Sequence, residues 1–198
     1  MGDGRPQTMV KHMTMEELDA GLEHVRRSPK ENGVLEMIVR RPGVGAREVL
    51  DRGELDVKQG LIGDTWHLRP GKGRADGTPH PDKQLNIMNV RAVALVAQDR
   101  ERWALAGDQL FVDFDLSEIN VPPGTRLAVG SAIVEVTPPA HLGCSKFVSR
   151  FGEDAMNWVN SPTGRDLHLR GINARVVQPG AICRGDVVRK LPVAVETA

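Results

Sequence analysis

The sequence predicts a mainly β domain, a barrel or a sandwich carrying a few helices, and three observations predict it. From Val34 onward, short apolar runs alternate with Gly and Pro. Leu110, Val112, Phe114 and Leu116 occupy every second position, the period of a strand with one face buried. Gly130-Ser131 stands between the runs 126–129 and 132–137, and glycine in first place is what a two-residue type II′ hairpin prefers.

The elements follow in order. Residues 1 to about 12 read as a frayed start. Thr14 with Glu17 three positions on forms a capping box, and Met15, Leu18, Leu22 and Val25 continue at helical spacing until Pro29, Asn32 and Gly33 stop the helix. Val34–Val39 is a strand ended by Arg41-Pro42-Gly43, and 47–50 and 55–57 are weaker strand candidates. Residues 63–84 hold six Gly or Pro positions before Pro81 and few aliphatics, so they predict a long loop of the functional kind. Leu85–Met88 is a strand, Val90–Ala106 a helix, and Phe147, Phe151, Ala155, Trp158 and Val159 share one helix face up to Ser161-Pro162. Leu167–Leu169, Ile172–Gln178 and Val187–Leu191 are the last strands expected.

A chain of 198 residues suits one domain with a short attached segment and can bury a core without staples. Lys and Arg number 26 against 26 Asp and Glu, a balance that points away from nucleic acid or an anionic membrane as partner. No apolar run approaches the roughly 20 residues of a spanning helix, and no signal peptide is visible. Two cysteines make no disulfide framework, so a cytoplasmic protein with reduced thiols is expected.

Several chemistries find no motif: there is no phosphate loop, no dinucleotide fingerprint at Gly71–Gly77, no C-x-x-C pair and no G-x-S-x-G elbow. Chemistry concentrates in Thr137–Arg150, T-P-P-A-H-L-G-C-S-K-F-V-S-R. Two prolines end a strand, a short loop carries His141 and Cys144, and a helix begins near Ser145. A thiol at a helix start, beside Lys146, is placed to favour thiolate, the form that ligates metal or accepts sulfur. A small packing cysteine is the plainer alternative.

The stretch Thr137–Gly152, with its single cysteine and the pair Phe151-Gly152, resembles the signature of the MOSC family, the molybdenum-cofactor sulfurase C-terminal domains. Three blocks agree in order: Gly60-Leu61-Ile62-Gly63-Asp64; Pro123-Gly124-Thr125-Arg126-Leu127 with Gly130; and Arg170-Gly171-Ile172-Asn173-Ala174-Arg175-Val176-Val177 followed by Pro179-Gly180, Ile182 and Gly185-Asp186. The resemblance covers residues 34–191, with 1–33 as a helical extension and 192–198 as a tail. It departs at Gly107-Asp108-Gln109-Leu110, where the family often shows G-E-N-L, and at His141, where many members carry Arg or Pro.

The resemblance implies a MOSC-type (pyruvate-kinase-like) β-barrel with peripheral helices, of the stand-alone bacterial type. It implies molybdenum cofactor (molybdopterin) binding, with Cys144 as catalytic residue and metal ligand. Arg165, Arg170 and Arg175 would suit the cofactor's phosphate, Asn173 its pterin edge, and His141, Lys146 and Asp64 complete the expected cofactor-binding set. Outward strand positions are the plainer reading of the arginines and of Asn173. Two activities fit: a reductase of small N-hydroxylated compounds fed by a separate electron donor, or a non-catalytic carrier of persulfide or cofactor served by a separate cysteine desulfurase. A metal site without pterin, drawing on His67, His80, His141 and Cys144, is a third arrangement. The helix at 14–27 would pack on the barrel or on a second subunit of a homodimer.

Overall fold

The structure, a computed structural model, describes residues 11–70 and 76–192. The expected frayed start at 1–10, the glycine-rich stretch 71–75 and the tail beyond 192 lie outside the described residues. In chain order the elements are α1 (Met15–Ala20), α2 (Leu22–Arg26), β1 (Asn32–Arg40), β2 (Glu48–Leu50), β3 (Arg52–Asp56), β4 (Gly60–Leu61), β5 (Leu85–Asn89), α3 (Val90–Ala97), β6 (Leu110–Asp113), β7 (Arg126–Val129), β8 (Ala132–Val136), α4 (Ser145–Phe151), α5 (Glu153–Asn160), α6 (Pro162–Asp166), β9 (Ile172–Gln178), β10 (Gly180–Cys183) and β11 (Val187–Lys190). Three 3₁₀ turns, Trp66–Leu68, Pro81–Lys83 and Arg100–Ala106, lie between them.

Seven strands pair in a ring, β1-β11-β7-β8-β9-β5-β6 and back to β1, which closes a barrel and leaves β2 as an outer strand on β1. All pairings are antiparallel except β5 with β6. A second sheet, β10-β3-β4, lies beside the ring. Alternation along the strands sorts the core into two parts. Leu35, Ile38, Leu85, Ile87, Leu110, Val112, Val134 and Ala174 fill the barrel. Met37, Val39, Met88 and Phe111 point outward into a second core with Leu18, Val93, Phe147, Phe151 and Trp158. The half-buried strand expected at 110–116 is therefore buried on both faces over Leu110–Val112, because helices cover the barrel wall.

The capping box forms as expected: Thr14 Oγ1 accepts from Glu17 N–H and Glu17 accepts from Thr14 N–H. The helix it opens breaks at Gly21 into α1 and α2 and packs on the same chain, with Leu18 fully buried and Trp158 Nε1 donating to Asp19 Oδ1 at 3.0 Å. The hairpin forms with Val129 opposite Ala132 and positive φ at Gly130 alone of its two turn residues, as type II′ requires.

Four expectations need correction. The helix at 90–106 ends as α-helix at Ala97, where Gln98 turns to φ 63°, and resumes as the 3₁₀ segment 100–106. The helix 147–159 is two helices hinged at Gly152. Residues 167–169 are a turn after α6, with His168 at φ 47°, and not a strand. The strands expected at the end of the chain leave out Gly180–Cys183, which is itself a strand.

Candidate functional site

The end of the 3₁₀ segment Arg100–Ala106 is the hub of the site. The last carbonyls of a helix have no partner within it. Here four successive carbonyls each take a different arginine: Ala104 O accepts from Arg47 Nε at 3.2 Å, Leu105 O from Arg150 Nη1 at 2.5 Å, Ala106 O from Arg170 Nη2 at 2.9 Å and Gly107 O from Arg41 Nη1 at 2.8 Å. The partial negative charge of a helix C-terminus favours cations, which explains why they gather. Gly107 sits at φ 93°, and a Cβ built on it would stand 3.6 Å from Arg47 Nη2 and 3.8 Å from Arg150 Nη1.

Two of these arginines have carboxylate partners. Asp64 takes Arg41 Nε at 2.7 Å and Arg41 Nη2 at 2.9 Å, a bidentate pair, and also accepts from the backbone N–H of Arg41 and of Trp66. Burial alone would raise the Asp64 carboxyl; the Arg41 hydrogen bonds and charge outweigh it and hold the group below its ordinary value. Asp108, fully buried, takes Arg170 Nη1 at 2.7 Å on one oxygen. Burial pushes its carboxyl up against the pull of Arg170. Arg47, Arg69 and Arg150 have no carboxylate partner among the described residues. Burial, then the charges of Arg150, Arg41 and Arg69, lowers Arg47; burial, then the charge of Arg41, lowers Arg69. Repulsion between close guanidiniums marks a place where an anion is stabilised.

The cysteine loop lies across this hub. Asn173 Nδ2 donates to Pro139 O at 2.8 Å, and its Oδ1 accepts from Asn86 Nδ2 at 2.8 Å. Asn160 grips Gly143 from both sides, accepting from its N–H at 2.9 Å and donating to its carbonyl at 3.3 Å. Between these clamps His141 brings Nδ1 to 3.4 Å from Asp108 Oδ1, too long for a firm hydrogen bond, and both atoms are buried without a partner. Burial, then the charges of Arg170, Arg41 and Lys83, drives the His141 pKa well below 6.5, so the contact joins a neutral imidazole to a carboxylate. Cys144 is the exposed N-cap residue of α4. Its sulfur makes no capping bond; its carbonyl accepts from Phe147 and Val148 N–H. Arg170 lies 5.0 Å over the Phe147 ring, so the Asp108–Arg170 pair touches the chain on both sides of the cysteine.

The structure thus brings Cys144, His141, Asn173, Arg170 and Asp64 into one connected region, and Lys146 is exposed two residues past the thiol. Arg175 is placed elsewhere, while Arg165 borders the same surface cavity as His141. Arg165 is exposed and donates to Asn160 O, and Arg175 pairs with Asp82 and Glu135 on the outer surface. Arg170 is committed to Asp108 and Ala106, and Asn173 spends its amide on the loop. His67 and His80 do not join Cys144: among the described residues no three His, Cys, Asp or Glu side chains are grouped to hold a metal ion. Sequence reasoning missed Arg41, Arg47, Arg69, Arg150 and Asp108. The available signal was the second Gly-Asp pair, at 107–108, which reads as an ordinary turn until its burial is known.

Among the described residues no helix is long and apolar enough to cross a membrane. Comparison with solved structures finds the same fold at low identity. The YuaD protein of Bacillus subtilis is 19% identical, with a TM-score of 0.55 over 79% of this chain and 94% of that one. YiiM of Escherichia coli is 19% identical, with a TM-score of 0.53 over 82% and 72%. YiiM of Geobacillus stearothermophilus is 16% identical, with a TM-score of 0.54 over 83% and 77%. No functionally curated protein matches the chain. The family profile of the MOSC domain matches residues 72–189, more than half of the sequence, and the chain belongs to the MOSC domain family.

Proposed function

We propose that this protein binds the molybdenum cofactor, with Cys144 as the metal-ligating thiolate, and reduces small N-hydroxylated compounds. The observation that carries the cofactor reading is the pairing of an exposed cysteine with an uncompensated arginine collar. Short helix α4 bears Cys144 at its start and Arg150 near its end. Arg47, Arg69 and Arg150 supply the charge that an anionic phosphate tail needs, and guanidinium forks suit phosphate oxygens. These three replace Arg165 and Arg175 as the phosphate-holding residues of the reading.

When bound, the cofactor supplies a two-electron couple. The chain's own residues do the rest. Asn160 and Asn173 fix the loop that presents the thiol. Asp108, held by Arg170, faces His141 Nδ1 at 3.4 Å. Reduction of an N–OH group to N–H consumes two electrons and two protons and releases water, so a separate electron donor is required. The reductase activity is carried by the family resemblance, the cofactor reading by the site.

The experiment is molybdenum analysis with oxidised-pterin fluorescence on protein from a host that makes the cofactor. Stoichiometric molybdenum and pterin are expected in the native protein. Cys144→Ala is expected to lose the metal, and Arg47→Met with Arg150→Met to lose the pterin. Native protein carrying neither metal nor pterin overturns the reading. Exposure of Cys144 supports a second reading, a carrier that meets its desulfurase at the surface. That reading expects a protein heavier by one sulfur atom, with the excess mass lost on reduction.

A further inference from the structure

The groups around His141 fix which of its nitrogens faces outward. Nδ1 is buried without a hydrogen-bond partner and lies 3.4 Å from Asp108 Oδ1. A carboxylate oxygen only accepts, and Arg170 Nη1 donates to the other oxygen of Asp108. Nδ1 must therefore carry the hydrogen, which leaves the lone pair on Nε2. Nε2 is not among the buried unpartnered atoms and has no hydrogen bond among the described residues, so it keeps some access to solvent.

His141 lines a cavity of about 270 Å³ with Ala140, Leu142, Val159, Arg165 and His168, and the carboxylate residues Glu118 and Asp166 line it too. The volume sits at the small end of ligand pockets, enough for one ring. Ala140, Leu142 and Val159 offer apolar walls. His168, held in a left-handed backbone conformation, cannot serve as the acceptor there: its Nδ1 meets Leu116 O at 2.6 Å and its Nε2 meets Glu118 Oε2 at 3.1 Å. His141 Nε2 is the free nitrogen acceptor of this cavity, beside the carboxylates of Glu118 and Asp166, and it alone among them is set by the Asp108 contact. Its wall, residues 140–142, runs directly into Cys144.

We propose that this cavity is a binding site for a small molecule with a one-ring apolar body and a single O–H or N–H donor, which it gives to His141 Nε2. The proposal rests on reading the 140–144 loop as the working part of the protein, and not on any cofactor being bound. Asp108 and Arg170 act as positioning residues: they choose the tautomer, and the tautomer chooses ligands that donate over ligands that accept.

The test uses full-length protein labelled with ¹⁵N-histidine, without added cofactor, and the probe pair phenol and anisole. The two share a ring, and only phenol has a donor. Long-range ¹H–¹⁵N spectra should show His141 in its Nδ1–H form. Phenol should shift the Nε2 resonance and bind about tenfold more tightly than anisole, the worth of one hydrogen bond. Asp108→Asn puts an amide donor opposite Nδ1, so it should move the hydrogen to Nε2 and abolish or reverse the preference for phenol. Because that variant leaves Arg170 without its counter-charge, Ala140→Trp provides a second test: it fills the cavity from an exposed position and should block both probes while leaving the His141 tautomer unchanged. An Nε2–H tautomer in native protein, equal affinity for the two probes, absence of phenol binding, or undiminished binding in Ala140→Trp each overturns the proposal. Phenol selectivity in protein that never acquires molybdenum or pterin would leave this inference standing and remove the cofactor reading.

Discussion

Asp64 and Asp108 each follow a glycine with positive φ, each is buried, and each meets an arginine that also caps the same 3₁₀ segment. Asp64 is closed. Both oxygens accept from Arg41, and two backbone N–H groups add to them, so its charge is fully answered. Asp108 is open. Arg170 answers one oxygen, and the other faces only the buried Nδ1 of a neutral histidine. The opposite directions of their pKa shifts express the same difference. One Gly-Asp pair is a structural clamp joining β1 to the loop after β4. The other keeps unspent bonding capacity beneath the cysteine loop, and unspent capacity in a buried group is how a site differs from a scaffold.

The sharpest way to break that comparison is to neutralise both. Asp64→Asn leaves Arg41 buried with no counter-charge and should cost about 3–5 kcal/mol. Asp108→Asn also strands an arginine, but it removes an oxygen that already pays desolvation unrewarded, so its cost should be smaller by about 1–3 kcal/mol. Urea midpoints of the two variants and the native protein decide it. Equal costs would mean that the free oxygen of Asp108 carries no penalty and that the two pairs are alike.

Acid sharpens the comparison further. His141 has a folded pKa far below 6.5, so the unfolded chain takes up its proton first and stability falls as the pH drops below that value. The slope approaches about 1.4 kcal/mol per pH unit for one proton. Asp108 works in the opposite direction: its raised carboxyl binds a proton in the folded state first, in a window that opens upward from 3.8. Asp64 again has the sign of His141, its contribution being lost only as the pH falls below 3.8. Stability measured against pH for native protein and His141→Phe should differ in slope just below 6.5. Parallel curves there would mean that His141 is protonated in the fold.

Much of the fold was legible because its signals are local. The capping box at Thr14, the type II′ hairpin at Gly130 and the strand Ile172–Gln178 depend on residues close together in sequence. Misread elements have tertiary causes. Phe111 alternates like an exposed strand position but is covered by helices, and Gly152, read only as part of a motif, is a hinge between α4 and α5. The cysteine was legible from its loop and from the family blocks around it. The arginine collar was not: Arg41 and Arg47 lie about a hundred residues from Arg150, and only the folded chain brings them to one helix end, with Arg69 near enough to feel the charge of Arg41. Arg165, Arg170 and Arg175 look alike in sequence because spacing along a chain does not reveal that two of them, Arg170 and Arg175, already have carboxylates.

The smallest effect tests what holds the open side of the comparison in place. Asp64 sits in a turn that the clamp itself secures, whereas the His141 loop is secured from outside, by Asn173 at Pro139 and Asn160 at Gly143. Gly143 packs so closely on α5 that a Cβ there would come within 3.2 Å of Met156 and Val159. Asn160→Ala should therefore cost only about 1 kcal/mol in global stability, yet it should raise the hydrogen-exchange rate of the Gly143 amide and its neighbours while β8 and β9 keep their protection. Loss of protection across those strands as well would show that the loop and the barrel open as one unit, and that Asp108 and His141 meet through the fold as a whole and not through two asparagine clamps.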